Sequence, residues 1–301
     1  MSDFHPDLRR TARFMPHDIG LPTTLRLMRF IDARRAARPA PDISVIPLDN
    51  GASIRLFRPA TESSPTPALL WMHGGGYVIG CARQDDRMCR EFATELGITV
   101  ASVDYRLAPE WPFPAPVDDC YSALEWLVGQ PTVDPARVAI GGGSAGAGLA
   151  AALAFRARDQ ERITPTLQLL SYPMLDDRAG PDDARDARRL RWWGPRSNRF
   201  AWECYLGGGD PQVAVPARRD DLSGLAPAWI GVGTLDLFHN EDLRYAERLV
   251  EAGVPCELNV IHGAYHGFDA AAPKAAVSRA YFESQCAALR EAFHRQDISV
   301  Q

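Results

Sequence analysis

The segment Ile140-Gly141-Gly142-Gly143-Ser144-Ala145-Gly146 holds the residues best suited to covalent chemistry. Gly142, Ser144 and Gly146 spell G-x-S-x-G between an apolar run and an Ala-rich stretch, the pattern of a serine on a sharp strand-to-helix turn. Such a turn lifts the hydroxyl above a sheet, and small neighbours permit its strained backbone. The amides that follow sit at the positive end of a helix and can face a developing oxyanion. Alone the motif is weak, because composition gives about 0.1 chance matches in a chain of this kind. Gly141, Gly143 and Gly146 also spell G-x-G-x-x-G, a dinucleotide fingerprint. That reading expects the first βα unit of a domain, with an acid about 20 positions on at the end of the next strand. Here the segment lies mid-chain, and Asp159 and Glu161 fall at the end of the following helix. The serine reading is the stronger.

A second glycine motif, His73-Gly74-Gly75-Gly76-Tyr77, follows an earlier apolar run. Consecutive glycines let backbone N–H groups approach a ligand without Cβ interference. In acyl-transfer hydrolases an H-G-G-G segment after a strand supplies the remaining oxyanion amides. A serine nucleophile also needs a base and an orienting carboxylate, placed later in the chain in the order Ser, Asp, His. The run from Ala228 to Gly233 leads to Asp236, and Cys256–Ile261 leads to His262-Gly263-Ala264-Tyr265-His266-Gly267-Phe268. Both partners therefore arrive in order, each just past a strand. Rivals stand beside them. Glu241 and Asp242 are expected as solvated charges in the next helix, and His239 as an exposed residue. Spacing alone leaves His262 and His266 both open as the base. The histidines lack metal-ligand spacing and no H-E-x-x-H occurs, so no metal is expected.

These residues require strands to present them. Short β-branched runs at 43–46 and 53–57, separated by Asp49-Asn50-Gly51, read as a hairpin. Further strands are predicted at 68–72, 98–103, 137–140, 167–172, 228–232 and 256–261. Helical patterns cover 85–96, 117–128, 144–158, 241–251 and 275–293. Continuous apolar strands alternating with helices imply an α/β fold with a mainly parallel sheet covered on both faces. Ligands bind beyond the carboxyl ends of such strands, where the unusual residues lie. Two regions break the alternation. Residues 1–42 are Arg-rich and helical in pattern. The stretch 178–210 begins with Asp182, Asp183, Arg185, Asp186, Arg188 and Arg189, then holds Trp192, Trp193, Phe200, Trp202 and Tyr205. Together they are read as a small helical cap over a core of residues 43–301. Residues 61–67 read as a flexible loop.

The whole chain has 301 residues, 46% hydrophobic and 24% charged, with a formal net charge of −5. These values fit a globular protein and exclude disorder. The acidic balance argues against nucleic acid as a partner. No stretch reaches the roughly 18 apolar residues of a membrane span, and the charged start shows no signal peptide, so a cytoplasmic protein is expected. The six cysteines lack paired spacing and are expected as buried reduced thiols. Oligomeric state stays open, with an apolar edge strand offering a route to a homodimer.

The chain resembles the hormone-sensitive-lipase-like (bacterial family IV) esterases of the α/β-hydrolase fold over nearly its whole length. The resemblance rests on His73-Gly74-Gly75-Gly76, Tyr105-Arg106-Leu107-Ala108-Pro109-Glu110, Gly142-Gly143-Ser144-Ala145-Gly146, Asp236 and His266-Gly267-Phe268. It implies a carboxylic ester hydrolase for short acyl groups, with Ser144 as nucleophile, His266 as base and Asp236 as orienting acid. It implies the amides of Gly74, Gly75 and Ala145 as the oxyanion hole, and no cofactor. Tyr77, Met174, Trp192, Trp193, Phe200 and Trp202 are the candidate pocket residues. Alternatives are an amide-cleaving serine hydrolase and a non-catalytic binding protein on the same fold. The Tyr105 motif is expected to be structural, with Arg106 and Glu110 as ionic partners. Two departures stand out. Gly143 replaces the Asp or Thr common before the serine, and Asp236-Leu237-Phe238-His239-Asn240-Glu241 replaces the usual D-P-L-x-D-E.

Overall fold

The computed structural model describes residues 2–59, 65–180 and 188–298. Most of the loop expected at 61–67, and Asp182, Asp183, Arg185 and Asp186, lie outside these. Eight strands form one sheet: β1 (Ser44–Pro47), β2 (Ser53–Phe57), β3 (Thr66–Met72), β4 (Thr99–Asp104), β5 (Val133–Gly143), β6 (Gln168–Ser171), β7 (Ala228–Gly233) and β8 (Cys256–Ile261). Their order is β1-β2-β4-β3-β5-β6-β7-β8. The hairpin read around Asn50-Gly51 is present, with Ser44 opposite Leu56 and Pro47 opposite Ser53. β2 also runs antiparallel to β4, and every later pairing is parallel.

Strand β3 shows how the sequence builds this sheet. Leu70 and Met72 face one way and join a core cluster that includes Leu124 and Leu149. Those residues belong to α4 (Ala115–Val128) and α5 (Ala145–Gln160). Leu69 and Trp71 face the other way and pack with Phe92 and Leu289, on α3 (Asp86–Leu96) and α10 (Ala276–Ile298). Alternate side chains thus feed two cores, as expected of a strand covered on both faces. β3 pairs with β4 on one side and β5 on the other. The chain order reverses direction there, which opens a crevice at the carboxyl ends of β3 and β5. His73 follows the first of these strands and Ser144 the second.

The N-terminal segment carries α1 (Arg9–Phe14) and α2 (Leu25–Ala36). Phe4, Leu8 and Ala12 are buried in the core behind the sheet, and Ile19 and Leu21 join the other core. The segment is hydrogen-bonded to the stretch that precedes α6 (Pro195–Leu206) and to its first turn. Ile19 N–H donates to Trp192 O at 3.0 Å and Trp192 N–H to Pro16 O at 2.7 Å. Leu21 N–H donates to Ser197 Oγ at 3.1 Å, and the Ser197 hydroxyl donates to Asp18. All six cysteines are free thiols, with Cys204 and Cys256 only half-buried where sequence pointed to burial.

Arg106 and Glu110 each take a partner outside their own motif. Arg106 grips Asp119 of α4 with Nη2–Oδ1 at 2.7 Å and Nε–Oδ2 at 2.9 Å, and its backbone N–H donates to the same carboxylate. Glu110 pairs with Arg29 of α2. Asp119 is fully buried, so its charge depends on these donors. Asp119→Ala is expected to lower unfolding stability by about 2–3 kcal/mol, the scale of lost charge-assisted hydrogen bonds, measured by urea denaturation.

Candidate active site

Ser144 occupies the turn between β5 and α5 with φ 57° and ψ −119°. Its amide donates to Ser171 O at 2.9 Å, and its carbonyl accepts from Met174 N–H at 3.1 Å and Gly148 N–H at 3.0 Å. The end of β6, the loop beyond it and the first turn of α5 therefore hold it. Gly146 is required by close approach, because a Cβ there would lie 2.1 Å from Met72 O and 2.6 Å from His73 O. The helix start can press against the end of β3 only without a side chain.

Asp236 and His266 reach Ser144 from the ends of β7 and β8. Their two loops are tied together by Leu235 N–H to Ala264 O at 2.9 Å and Gly263 N–H to Thr234 Oγ1 at 2.9 Å. His266 Nδ1 lies 2.9 Å from Asp236 Oδ2 and 3.1 Å from Oδ1, while Nε2 lies 2.9 Å from Ser144 Oγ. A carboxylate only accepts, so the proton of a neutral His266 sits on Nδ1 and Nε2 is free to accept from the serine. Phe238 N–H donates to Asp236 Oδ1 at 3.0 Å and helps fix the carboxylate. Tyr172, Phe238 and Trp193 surround the imidazole, with ring centroids 5.0, 5.1 and 6.4 Å away. All three members of the relay are buried.

The rivals separate clearly in space. His262 is exposed. His239 is half-buried rather than exposed as expected, and burial pushes its pKa down. Glu241 and Asp242 do lie on the next helix, α8 (His239–Glu251), but they are buried, not solvated. The solvated-charge expectation is thus corrected. Glu241 Oε1 accepts from the amides of Leu175 at 2.7 Å and Asp176 at 3.1 Å. It pins the loop beyond β6 that also bonds Ser144, a role that sequence reasoning missed.

The H-G-G-G loop lies directly against the serine. A Cβ on Gly74 would sit 3.3 Å from Ser144 Cβ and 3.0 Å from Gly143 O. Gly75 has φ 127°, and a Cβ there would lie 2.0 Å from Ile79 O. Its carbonyl turns away to accept from Val78 and Ile79 N–H at 3.1 and 3.0 Å. Among the described residues the Gly74 and Gly75 amides donate to no protein acceptor. The Ala145 amide is the first of its helix and has no i−4 carbonyl to reach. His73 anchors the loop and is fully buried, stacked on Tyr105 at 4.2 Å. Tyr105 O–H donates to His73 O at 2.7 Å. Burial lowers the His73 pKa and keeps the ring neutral.

Residues 69–270 match the family model described as alpha/beta hydrolase fold. This chain belongs to the α/β-hydrolase family. It is 36% identical to esterase LipI of Mycobacterium tuberculosis over 71% of this chain and 70% of that one. Carboxylesterase NlhH of the same organism is 35% identical over 80% of this chain and 78% of its own. Among solved structures, a bacterial heroin esterase superimposes with a TM-score of 0.85 at 35% identity, covering 97% of this chain and 98% of the other. These likenesses bear out the resemblance carried by the motifs.

Around the relay of this α/β hydrolase, the candidate pocket residues divide into two groups. Trp192 lies over the His266 loop, 3.4 Å from where a Gly267 Cβ would be, and Trp193 presses on Gly76. Tyr77, Met174 and Trp202 are buried within the packing. Tyr77 stacks on Tyr205 at 4.0 Å and donates its hydroxyl to Met174 O at 3.0 Å. Phe200 is half-buried on α6. A cavity of about 430 Å³ lined by Thr166, Leu167, Ala228 and Cys256 lies at the opposite ends of β6, β7 and β8. It is remote from Ser144. At Gly143 a Cβ would meet Tyr172 and Trp71 at 3.7 to 3.9 Å, ordinary contact distances, so the packing beside Ser144 does not itself demand a glycine there.

Asp242 of this α/β hydrolase has neither carboxylate oxygen hydrogen-bonded among the described residues. Burial pushes its pKa well above the carboxylate range, with Glu241 adding to the rise. A group whose folded pKa is raised holds a proton that the unfolded chain releases. Its contribution is complete below the unfolded carboxylate pKa and is lost as pH rises through the folded value. Asp242→Asn stays neutral, so its stability relative to wild type is expected to increase from about pH 5 to about pH 8. Thermal unfolding at both pH values measures this.

Proposed function

We propose that this α/β hydrolase cleaves carboxylic esters of short acyl groups through an acyl-enzyme on Ser144. The observation that carries the reading is the continuous line from Asp236 through His266 to Ser144 Oγ, with each contact near 2.9 Å. His266 Nε2 takes the Ser144 proton as Oγ attacks the ester carbonyl. Asp236 holds the imidazole in the tautomer that leaves Nε2 free and stabilises its cation. The Gly74, Gly75 and Ala145 amides receive the negative charge on the carbonyl oxygen, where one lost donor typically costs about 10²–10³ in kcat. The imidazolium then returns its proton to the leaving alkoxide. Water adds to the acyl-enzyme by the same route, releasing the acid and restoring the serine. Every bond in this cycle is made by the serine, the ester or water, so it draws on no cofactor or metal.

Residues 1–42 and the stretch up to residue 210 act in this reading as a cap, and Trp192 and Trp193 bring it against the imidazole. With Met174, Tyr77, Phe200 and Trp202 they set the acyl pocket. The edge strand β8 leaves Leu258 and Val260 exposed, which supports a homodimer by strand pairing. No described helix is long and apolar enough to cross a membrane. Six free thiols suit the reducing cytoplasm that we assign to the protein.

Hydrolysis of p-nitrophenyl esters from acetyl to dodecanoyl tests the reading. Wild type is expected to turn over the short members best. Ser144→Ala and His266→Ala are each expected to lose about 10⁶ in kcat, Asp236→Asn about 10⁴, and His262→Ala close to nothing. Equal turnover by Ser144→Ala and wild type contradicts the mechanism.

A further inference from the structure

Helix α2 has two faces with different tasks. Leu25 and Met28 pack inward against the core. On the same side Arg29 Nε donates to Val78 O at 2.8 Å, its Nη2 donates to Ala108 O, and Asp32 Oδ2 accepts from Gly80 N–H at 2.8 Å. These bonds grip the loop that begins at Gly74. The outer face is apolar where solvent is expected. Leu27 is 60% exposed, Phe30 55% and Ile31 44%. With Arg34 they follow the i, i+3, i+4, i+7 spacing of one helix face. Arg26, Arg35 and Arg38 are exposed beside them, and Arg34 lies 4.7 Å over the Phe30 ring. Asp32, the only acid of the helix, is half-buried and shares its carboxylate between Gly80 N–H and Arg35, whose Nη1 lies 3.4 Å from Oδ1.

We infer that the outer face of α2 docks the enzyme onto an anionic lipid surface. Three apolar side chains flanked by Arg26 and Arg34, with Arg38 just past the helix end and Arg35 paired to Asp32, are the arrangement of a helix lying in a bilayer interface, where the apolar face enters the acyl boundary and the cations meet acidic headgroups. Charge complementarity selects this occupant. The chain as a whole carries −5, so a cationic face on this helix runs against the overall balance. A symmetric pairing of two copies through the same patch sets arginines against arginines, because a two-fold interface meets itself. The docking helix is also the one that holds the oxyanion loop, so attachment and the reaction centre share one element.

Flotation with phosphatidylcholine vesicles, with and without about one-third phosphatidylglycerol, tests the inference. Wild type is expected to float with the acidic vesicles at low salt, to stay behind with the neutral ones, and to be released by high salt. Arg26→Gln with Arg34→Gln is expected to lower the partition coefficient about 25-fold, near fivefold per cation. Leu27→Ser with Phe30→Ser is expected to lower it at least about tenfold. Both double variants keep wild-type turnover of soluble p-nitrophenyl acetate, which verifies that they are folded. Wild type that ignores acidic vesicles, or variants that bind as well as wild type, overturn the inference. Light scattering that finds a dimer dissolved by Leu27→Ser with Phe30→Ser, without vesicle binding, assigns the face to a second copy and overturns it as well. Vesicle binding is read without turnover, so failure of the esterase reading is recognised separately.

Discussion

Ser144 is held at φ 57° and ψ −119°, a backbone conformation that costs a non-glycine residue on the order of 1–3 kcal/mol. It persists only because its surroundings over-determine it. Ser171 O, Met174 N–H and Gly148 N–H fix both ends of the residue. Gly146 lets α5 begin in contact with the carbonyls of Met72 and His73. The strained turn brings the hydroxyl to 2.9 Å from His266 Nε2, with the first amide of α5 directly after it. The reversal of strand order between β3 and β5 then sets the His73–Gly76 loop beside the turn.

The remaining parts of the site are held by groups that themselves need partners. Asp236 is fixed by Phe238 N–H and by the imidazole it orients. The loop beyond β6 that bonds Ser144 is pinned by Glu241. Burial raises the pKa of Glu241 and Asp242, which favours neutral carboxyls and limits the negative charge gathered near Asp236. Stability is spent here on position. A fully apolar core at α8 would lose the acceptor that Leu175 and Asp176 require, and buried amides without acceptors are costly.

Much of this is legible in the sequence. The strand runs are readable because parallel strands buried on both faces are continuously apolar, and β3 and β7 show it. Ser144, Asp236 and His266 fell in order after strands because the chemistry requires that placement. Less legible was everything decided by burial at long range. Glu241 and Asp242 look like ordinary helix charges, and only the packing of α8 against the loop beyond β6 buries them. Arg106 and Glu110 sit within one motif, yet Arg106 pairs with Asp119 on the next helix and Glu110 with Arg29, far away in sequence. The half-buried state of His239 has the same origin. Local pattern specifies the strands and turns, while the partners of charged side chains depend on the tertiary fold.

The central claim is that Ser144 is the activated nucleophile, and covalent trapping tests it most directly. A fluorophosphonate esterifies a serine only where a base and an oxyanion site act together. Incubation followed by intact-mass and peptide mass spectrometry is expected to find one adduct per chain, on the peptide containing Ser144, and none on His266→Ala within the same time. An adduct on another residue, or no adduct on a folded wild-type enzyme, contradicts the account.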